Sequence, residues 1–222
     1  MVTLAETLQS QAENVLMQNY GARNLALVRG QGAHVWDSEG RRYLDLLSGL
    51  GVNNLGHCHP KVVAAIQKQA QTLLHVSNLY LIEPQVQLAG LLVEHSPADR
   101  VFFCNSGTEA VEAAIKLARR YSYDHHGPGR HTIIALQNSF HGRTMGSLSA
   151  TGQAKYQKGF KPMLERFVHV PINDLEALKA AVDETVCAVL LEPVQGEGGI
   201  HPCRPEYLRG VREVCDQHRL LL

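Results

Sequence analysis

Paired cysteines are missing from this chain: its five (Cys58, Cys104, Cys187, Cys203 and Cys215) are odd in number and form no C-x-x-C. That excludes a disulfide framework and a zinc ribbon, and leaves reduced thiols. An excess of either charge is missing too. Lys plus Arg and Asp plus Glu each number 21 in 222 residues, so neither a nucleic-acid-binding face nor a polybasic membrane anchor is expected. No run of about 18 uncharged apolar residues occurs, which excludes a helix across a bilayer. The N-terminus has no basic, then apolar, secretory pattern, and Glu6 and Glu13 argue against a transit peptide, so the expected compartment is the cytoplasm. Neither G-x-x-x-x-G-K-[ST] nor G-x-G-x-x-G is present, which disfavours kinases and dehydrogenases. His57-Cys58-His59, His125-His126 and His201-Pro202-Cys203 lack a ligand spacing, so no metal site is expected. What remains is ordinary globular composition, 45% apolar and 19% charged, in a chain long enough for a sizeable core.

Hydrophobic periodicity divides the chain. A helix is expected over residues 4–20, then a hairpin from Ala33–Asp37 through a Ser38-Glu39-Gly40 turn to residues 41–46. The Gly-rich run 48–60 reads as a loop, and Pro60 opens a helix whose stripe is Val62, Val63, Ile66, Ala70, Leu73 and Leu74. Another helix is expected over 84–95. Short apolar strands then alternate with helices: strands at 100–104, 132–136 and 186–191, helices at 109–121, 174–182 and 205–219. Unbroken apolar strands separated by helices indicate an α/β fold with a mainly parallel sheet covered on both faces. The last residues, Leu220-Leu221-Leu222, read as the start of a further buried strand, so the chain is expected to be the front part of a longer protein.

Three loops carry chemistry. Asn105-Ser106-Gly107-Thr108 opens a helix, where converging amides, hydroxyls and the positive dipole end suit a phosphate; ordinary N-capping accounts for the same residues equally well. Asn138-Ser139-Phe140-His141-Gly142-Arg143-Thr144 follows the 132–136 strand. Phe140 suits stacking on a flat ring and Arg143 suits a bidentate grip on a carboxylate, although a core phenylalanine and a solvated arginine would look no different. Glu192-Pro193-Val194-Gln195-Gly196-Glu197-Gly198-Gly199 caps an apolar strand, and a carboxylate there needs a partner. All three follow buried strands and would face one rim of a parallel sheet. Lys116, four residues after Glu112, is expected to pair with it.

Taken together, Asn105–Ala110, Ser139–Thr144 and Leu191–Gly199, with Gly51–Pro60 and Ser77–Gln85, resemble the class III, fold-type I pyridoxal-phosphate-dependent aminotransferases, in order and over nearly the whole chain. The resemblance implies a large domain of fold type I, truncated, with residues 1–50 belonging to the small domain and 51–222 forming the front of the large one. It implies pyridoxal 5′-phosphate as cofactor. Gly107 and Thr108 would hold its phosphate, Phe140 would stack on its ring, and Ser106 and His141 complete the cofactor-binding set. Arg143 would bind the substrate α-carboxylate. Glu192 and Glu197 would lie near the substrate, one of them pairing with a mobile arginine. Asn78 and Tyr80 would reach the site across a homodimer interface.

The reaction so implied is amino transfer between N-acetylornithine and 2-oxoglutarate, a step of arginine biosynthesis; succinylornithine, succinyl-diaminopimelate, ornithine and 4-aminobutyrate remain open, as does a non-catalytic fragment. The family's Schiff-base lysine and its pyridine-nitrogen aspartate match nothing among these residues, so residues 1–222 alone are expected to be inactive. Two further departures, Leu50-Gly51 and Leu81-Ile82, stand where members of the family commonly carry Ile-Ala and Tyr-Thr.

Overall fold

A computed structural model describes residues 2–21 and 23–222, which divide into two compact units, Met1–Gly90 and Leu91–Leu222. The first unit opens with α1 (Leu4–Val15), started by a capping box in which Glu6 N–H donates to Thr3 Oγ1 and Thr3 N–H to the Glu6 carboxylate. The helix stops at Leu16, earlier than the apolar pattern suggests, where the backbone turns extended. A three-stranded antiparallel sheet follows, β1 (Leu27–Gln31), β2 (His34–Asp37) and β3 (Arg42–Leu44), in that order. The expected hairpin is β2–β3.

Its turn is built on Asp37, a buried carboxylate that accepts from Arg41 Nε at 2.6 Å, Tyr43 OH at 2.8 Å and the amides of Glu39 and Arg41. Burial pushes its pKa up, but these hydrogen bonds outweigh that and hold it near about 2. Beyond β3, Ser48, Gly49, Leu50 and Gly51 all have positive φ, a left-handed turn. Asp45 secures it by accepting from the amides of Leu47 and Ser48 at 2.9 Å, and it also bonds His57 at 2.6 Å. α2 (Pro60–Ala70) starts on its proline as expected, and α3 (Glu83–Glu94) runs up to and past Gly90.

The second unit holds the parallel sheet. α4 (Gly107–His126) leads into β4 (Thr132–Leu136), β5 (Phe167–Val170), α7 (Leu175–Ala180), β6 (Val186–Leu190) and α8 (Pro205–His218); the short helices α5 (Met145–Ala150) and α6 (Ala154–Gln157) fall between β4 and β5. The order is β5-β4-β6, all parallel. Leu221 adds a parallel bridge to Ala188, with Leu221 N–H donating to Cys187 and Val189 N–H to Leu221, so the terminal leucines do sit beside β6.

Side chains of β4 alternate across this sheet as period 2 requires, while a register shift in the β4–β6 pairing at Thr132/Ile133 leaves the adjacent Cys187 and Ala188 of β6 on one face. Ile134, Leu136 and Val189 pack with Leu178 of α7 and Val211, Val214 and Cys215 of α8; Ile133, Cys187 and Ala188 pack with Ile115 and Ala118 of α4. Both faces are therefore covered, which explains the unbroken apolar runs. The antiparallel pair β7 (Val194–Gln195) and β8 (His201–Pro202) closes the loop between β6 and α8. Among the described residues no helix is long and apolar enough to cross a membrane.

One expected strand does not form. Residues 100–104 have no strand pairing, and Phe102 is 71% exposed. A strand's backbone groups are satisfied by a neighbour, and β4, β5 and β6 pair elsewhere.

Candidate active site

The three chemistry-bearing loops of the second unit lie at one side of the sheet, at the N-terminus of α4 and the carboxyl ends of β4 and β6. At α4 the capping reading holds: Ser106 is the N-cap, its Oγ accepting from Glu109 N–H at 3.3 Å, while the Glu109 carboxylate accepts from Asn105 N–H at 2.6 Å. The Thr108 hydroxyl is engaged as well, 2.9 Å from Thr144 Oγ1 and 2.6 Å from Ser147 Oγ. What stays open are the amides of Gly107 and Thr108, which a first helical turn leaves without internal partners. Gly107 adds no side chain in front of them, and a Cβ there would meet nothing within 4 Å.

After β4 the chain turns through Asn138, at φ 60°, whose amide donates to the Gly152 carbonyl at 2.9 Å. Phe140 is half-buried and meets Tyr156 edge-on, with centroids 5.7 Å apart and planes at 73°. Arg143 is exposed, its guanidinium carbon 5.8 Å from the Phe140 centroid and 5.4 Å from that of Tyr156. His141 turns the other way. It is 7% exposed, its amide donates to Thr151 Oγ1, and its Nε2 is buried without a partner. Burial, aided by the nearby His169, pushes its pKa down to about 4, so the ring is neutral near pH 7.

The two glutamates after β6 differ in use. Glu192 accepts from backbone amides with both oxygens, Phe140 N–H at 2.8 Å and Gly196 N–H at 3.3 Å, so it shapes the loop that carries the aromatic ring. Glu197 faces side chains: Gln153 Nε2 at 2.6 Å, the Tyr156 hydroxyl, and Lys155 Nζ at 3.9 Å. The hydrogen bonds from Tyr156 and Gln153, with smaller help from Lys155 and Arg143, hold its carboxyl below the usual range. Asn138, Gln153, Lys155 and Glu197 line one cavity of 610 Å³. Tyr156, Gln153 and Lys155 escaped the sequence reading because no period or motif links them to Phe140 or Glu197. Asn78, in the 3₁₀ turn Ser77–Leu79, and Tyr80 are exposed residues of the first unit.

Open amides at a helix end, an aromatic face and a guanidinium on one rim of a parallel sheet define an α/β domain suited to an anionic ligand with a flat ring. The pattern of the class-III aminotransferase family matches residues 16–222. The acetylornithine aminotransferase of Caldanaerobacter subterraneus subsp. tengcongensis is 56% identical over 206 residues, 93% of this chain and 52% of that protein. Among solved structures, the ornithine aminotransferase from Toxoplasma gondii ME49 has TM-score 0.92 at 32% identity, covering 98% of this chain and 52% of that one. The N-acetylornithine aminotransferase from Stenotrophomonas maltophilia K279a has TM-score 0.77 at 39% identity, covering 96% and 52%. The chain belongs to the class-III aminotransferase family, and its fold is that of fold-type I transaminases. Pyridoxal 5′-phosphate is the cofactor of this family. The chain spans about half the length of the relatives it matches.

Proposed function

We propose that the protein containing these residues transfers an amino group between N-acetylornithine and 2-oxoglutarate, as the front portion of a homodimeric, cytoplasmic enzyme in which residues 1–50 belong to a small domain and 51–222 to the large one. The observation that carries this is the grouping of Phe140, Arg143 and Tyr156 on the rim that also holds the open N-terminus of α4. The identity to an acetylornithine aminotransferase supports the choice of amino donor.

The residues fit the cofactor. The amides of Gly107 and Thr108, beside Ser106 at the positive end of α4, suit its phosphate, and the half-buried Phe140 ring offers a face to its pyridine. When bound, pyridoxal phosphate supplies the carbonyl that takes up the amino group and the ring that withdraws electrons. Arg143 grips the α-carboxylate of the substrate, which orients the amino group. Glu192 holds Phe140 in place through the backbone, and Glu197, ionised at neutral pH, gives the substrate-side wall a negative charge that an arginine can meet. Buried neutral His141 backs the Phe140–Arg143 turn from below. Asn78 and Tyr80 reach the site of a second copy.

None of the lysines of residues 1–222 anchors the cofactor in this proposal. Lys179 is paired with Glu176 at 2.8 Å, and Lys155 lies between Glu197 and the Tyr156 ring, 4.7 Å from its centroid. The test has two arms. Residues 1–222 treated with pyridoxal phosphate and borohydride should show no single stoichiometrically labelled lysine; one such lysine would overturn the assignment. The full-length protein should aminate 2-oxoglutarate from N-acetylornithine with higher kcat/KM than from ornithine, and the reverse order would replace the proposed donor.

A further inference from the structure

The loop bearing Phe140 and Arg143 is pinned at its start by Glu192. Its end is pinned from α4 by a residue no chemistry-bearing motif includes. Thr144 is the N-cap of α5, yet its own side chain makes no capping bond. The cap comes from Glu112, whose Oε1 accepts from Gly146 N–H at 2.9 Å, Ser147 N–H at 3.1 Å and the Thr144 hydroxyl at 2.5 Å. A carboxylate is well suited there, since these amides are the open donors of a helix start.

Glu112 lies four residues after Thr108, so the two side chains stand one above the other on α4. Both reach the same turn: Thr108 Oγ1 bonds Thr144 Oγ1 and Ser147 Oγ while Glu112 takes the amides. Two glycines admit this approach. A Cβ on Gly146 would run into the Glu112 carboxylate, its carbon 2.8 Å away, and one on Gly142 would strike the Thr108 hydroxyl, with Ser147 Oγ at 2.6 Å. Arg143 sits between Gly142 and Thr144, the two points where the loop meets α4.

We propose that Glu112 is a positioning residue that locks the Thr144–Ser147 turn to α4 and thereby fixes Arg143 relative to the helix end formed by Gly107 and Thr108. This rests on the reading above, in which that end takes the cofactor phosphate and Arg143 the substrate carboxylate. Glu112 touches neither ligand. It sets the separation between the two anion sites, which cofactor and substrate together must span for the amino group to meet the cofactor.

The test is steady-state kinetics of the full-length protein with N-acetylornithine, alongside direct titration of pyridoxal phosphate. Glu112→Ala should raise KM for N-acetylornithine about tenfold with a smaller change in kcat and with cofactor affinity within about twofold of the parent. Glu112→Gln, which keeps an acceptor oxygen for the same donors, should restore KM to within about threefold. In an Arg143→Ala background Glu112→Ala should add nothing to KM, because the two act as one unit. An unchanged KM in Glu112→Ala, or additive effects with Arg143→Ala, would overturn the proposal. Should Glu112→Ala fail to fold, Gly146→Ala decides, since its methyl displaces the same carboxylate and should raise KM in the same way. The functional reading fails separately: if Arg143→Ala itself leaves KM unchanged, Arg143 is not the carboxylate site.

Discussion

The two units bury their side chains to very different degrees. In residues 2–90, among the described positions, only Val35 and Asp37 are buried, whereas the second unit encloses a two-faced core around β4, β5 and β6. Leu46, Leu50, Leu79 and Leu81 of the first unit are each more than four-fifths exposed, while Ile134, Leu136, Leu178 and Val211 of the second are fully buried. The first unit is held by local polar devices: a capping box, a carboxylate-centred turn and an Asp45–His57 pair. The second is held by apolar area removed from water, the larger source of stability. Order in the first unit therefore depends on a few named hydrogen bonds, and in the second on the alternation of a sheet.

The largest effect that could break this contrast is a core truncation. Ile134→Ala removes a fully buried side chain at the centre of the sheet and should cost about 2–5 kcal/mol in denaturant unfolding. Leu46→Ala, at a side chain 88% exposed, should stay within about 0.5 kcal/mol. Similar costs for the two would mean that leucines of the first unit are buried in solution, by another copy or by further chain. Amide exchange gives the same contrast without mutation, with β4 and β6 protected longest and β1 and β3 exchanging early.

A second effect belongs to His141. Its folded pKa of about 4 lies below the ordinary histidine value of 6.5, so the unfolded chain binds the extra proton first. Its contribution is complete above pH 6.5 and is lost as pH falls from there toward 4, by on the order of 3 kcal/mol. His141→Gln should flatten the stability curve of the second unit across that window. A curve of unchanged slope would place the histidine in water.

In the first unit acid acts later. Asp37 is held near about 2, below the ordinary carboxylate range, so its contribution is present above about pH 4 and is lost as pH falls toward 2. Trp36, the single tryptophan of the chain, lies in β2 beside it, with the Arg29 guanidinium carbon 3.7 Å from its ring centroid. Tryptophan fluorescence should therefore change below pH 4 and stay level through the His141 window. Asp37→Asn, which cannot meet both cationic and amide donors as a carboxylate does, should remove that acid step and lower the stability of the β2–β3 turn at neutral pH.

How much of this was legible in sequence follows the kind of interaction. β4 and β6 are read directly from Thr132–Leu136 and Val186–Leu190 because a doubly covered strand must be apolar throughout. β5 has no such run, since it is an edge strand whose Val168 and His169 are not buried, and it is not found. Residues 101–104 carry the apolar run without a pairing neighbour, which sequence cannot report. In the site, Ser106, Gly107, Thr108, Phe140 and Arg143 belong to contiguous motifs. Tyr156 joins Phe140 only through the fold, and Glu112 looks like a surface charge with a lysine four residues on.

That last misreading yields the smallest effect. Helical spacing pairs Glu112 with Lys116, worth about 0.3–0.5 kcal/mol if it formed. The structure instead commits the carboxylate to Thr144, Gly146 and Ser147, and Lys116 is exposed. Lys116→Ala should then leave stability within about 0.2 kcal/mol and show no dependence on salt, because no ion pair is lost. Measured against Glu112→Ala in the same buffer, which frees two helix-start amides and a hydroxyl, the ratio separates the two geometries. Near-equal losses would restore the ion pair, and with it the reading of Glu112 as a surface charge.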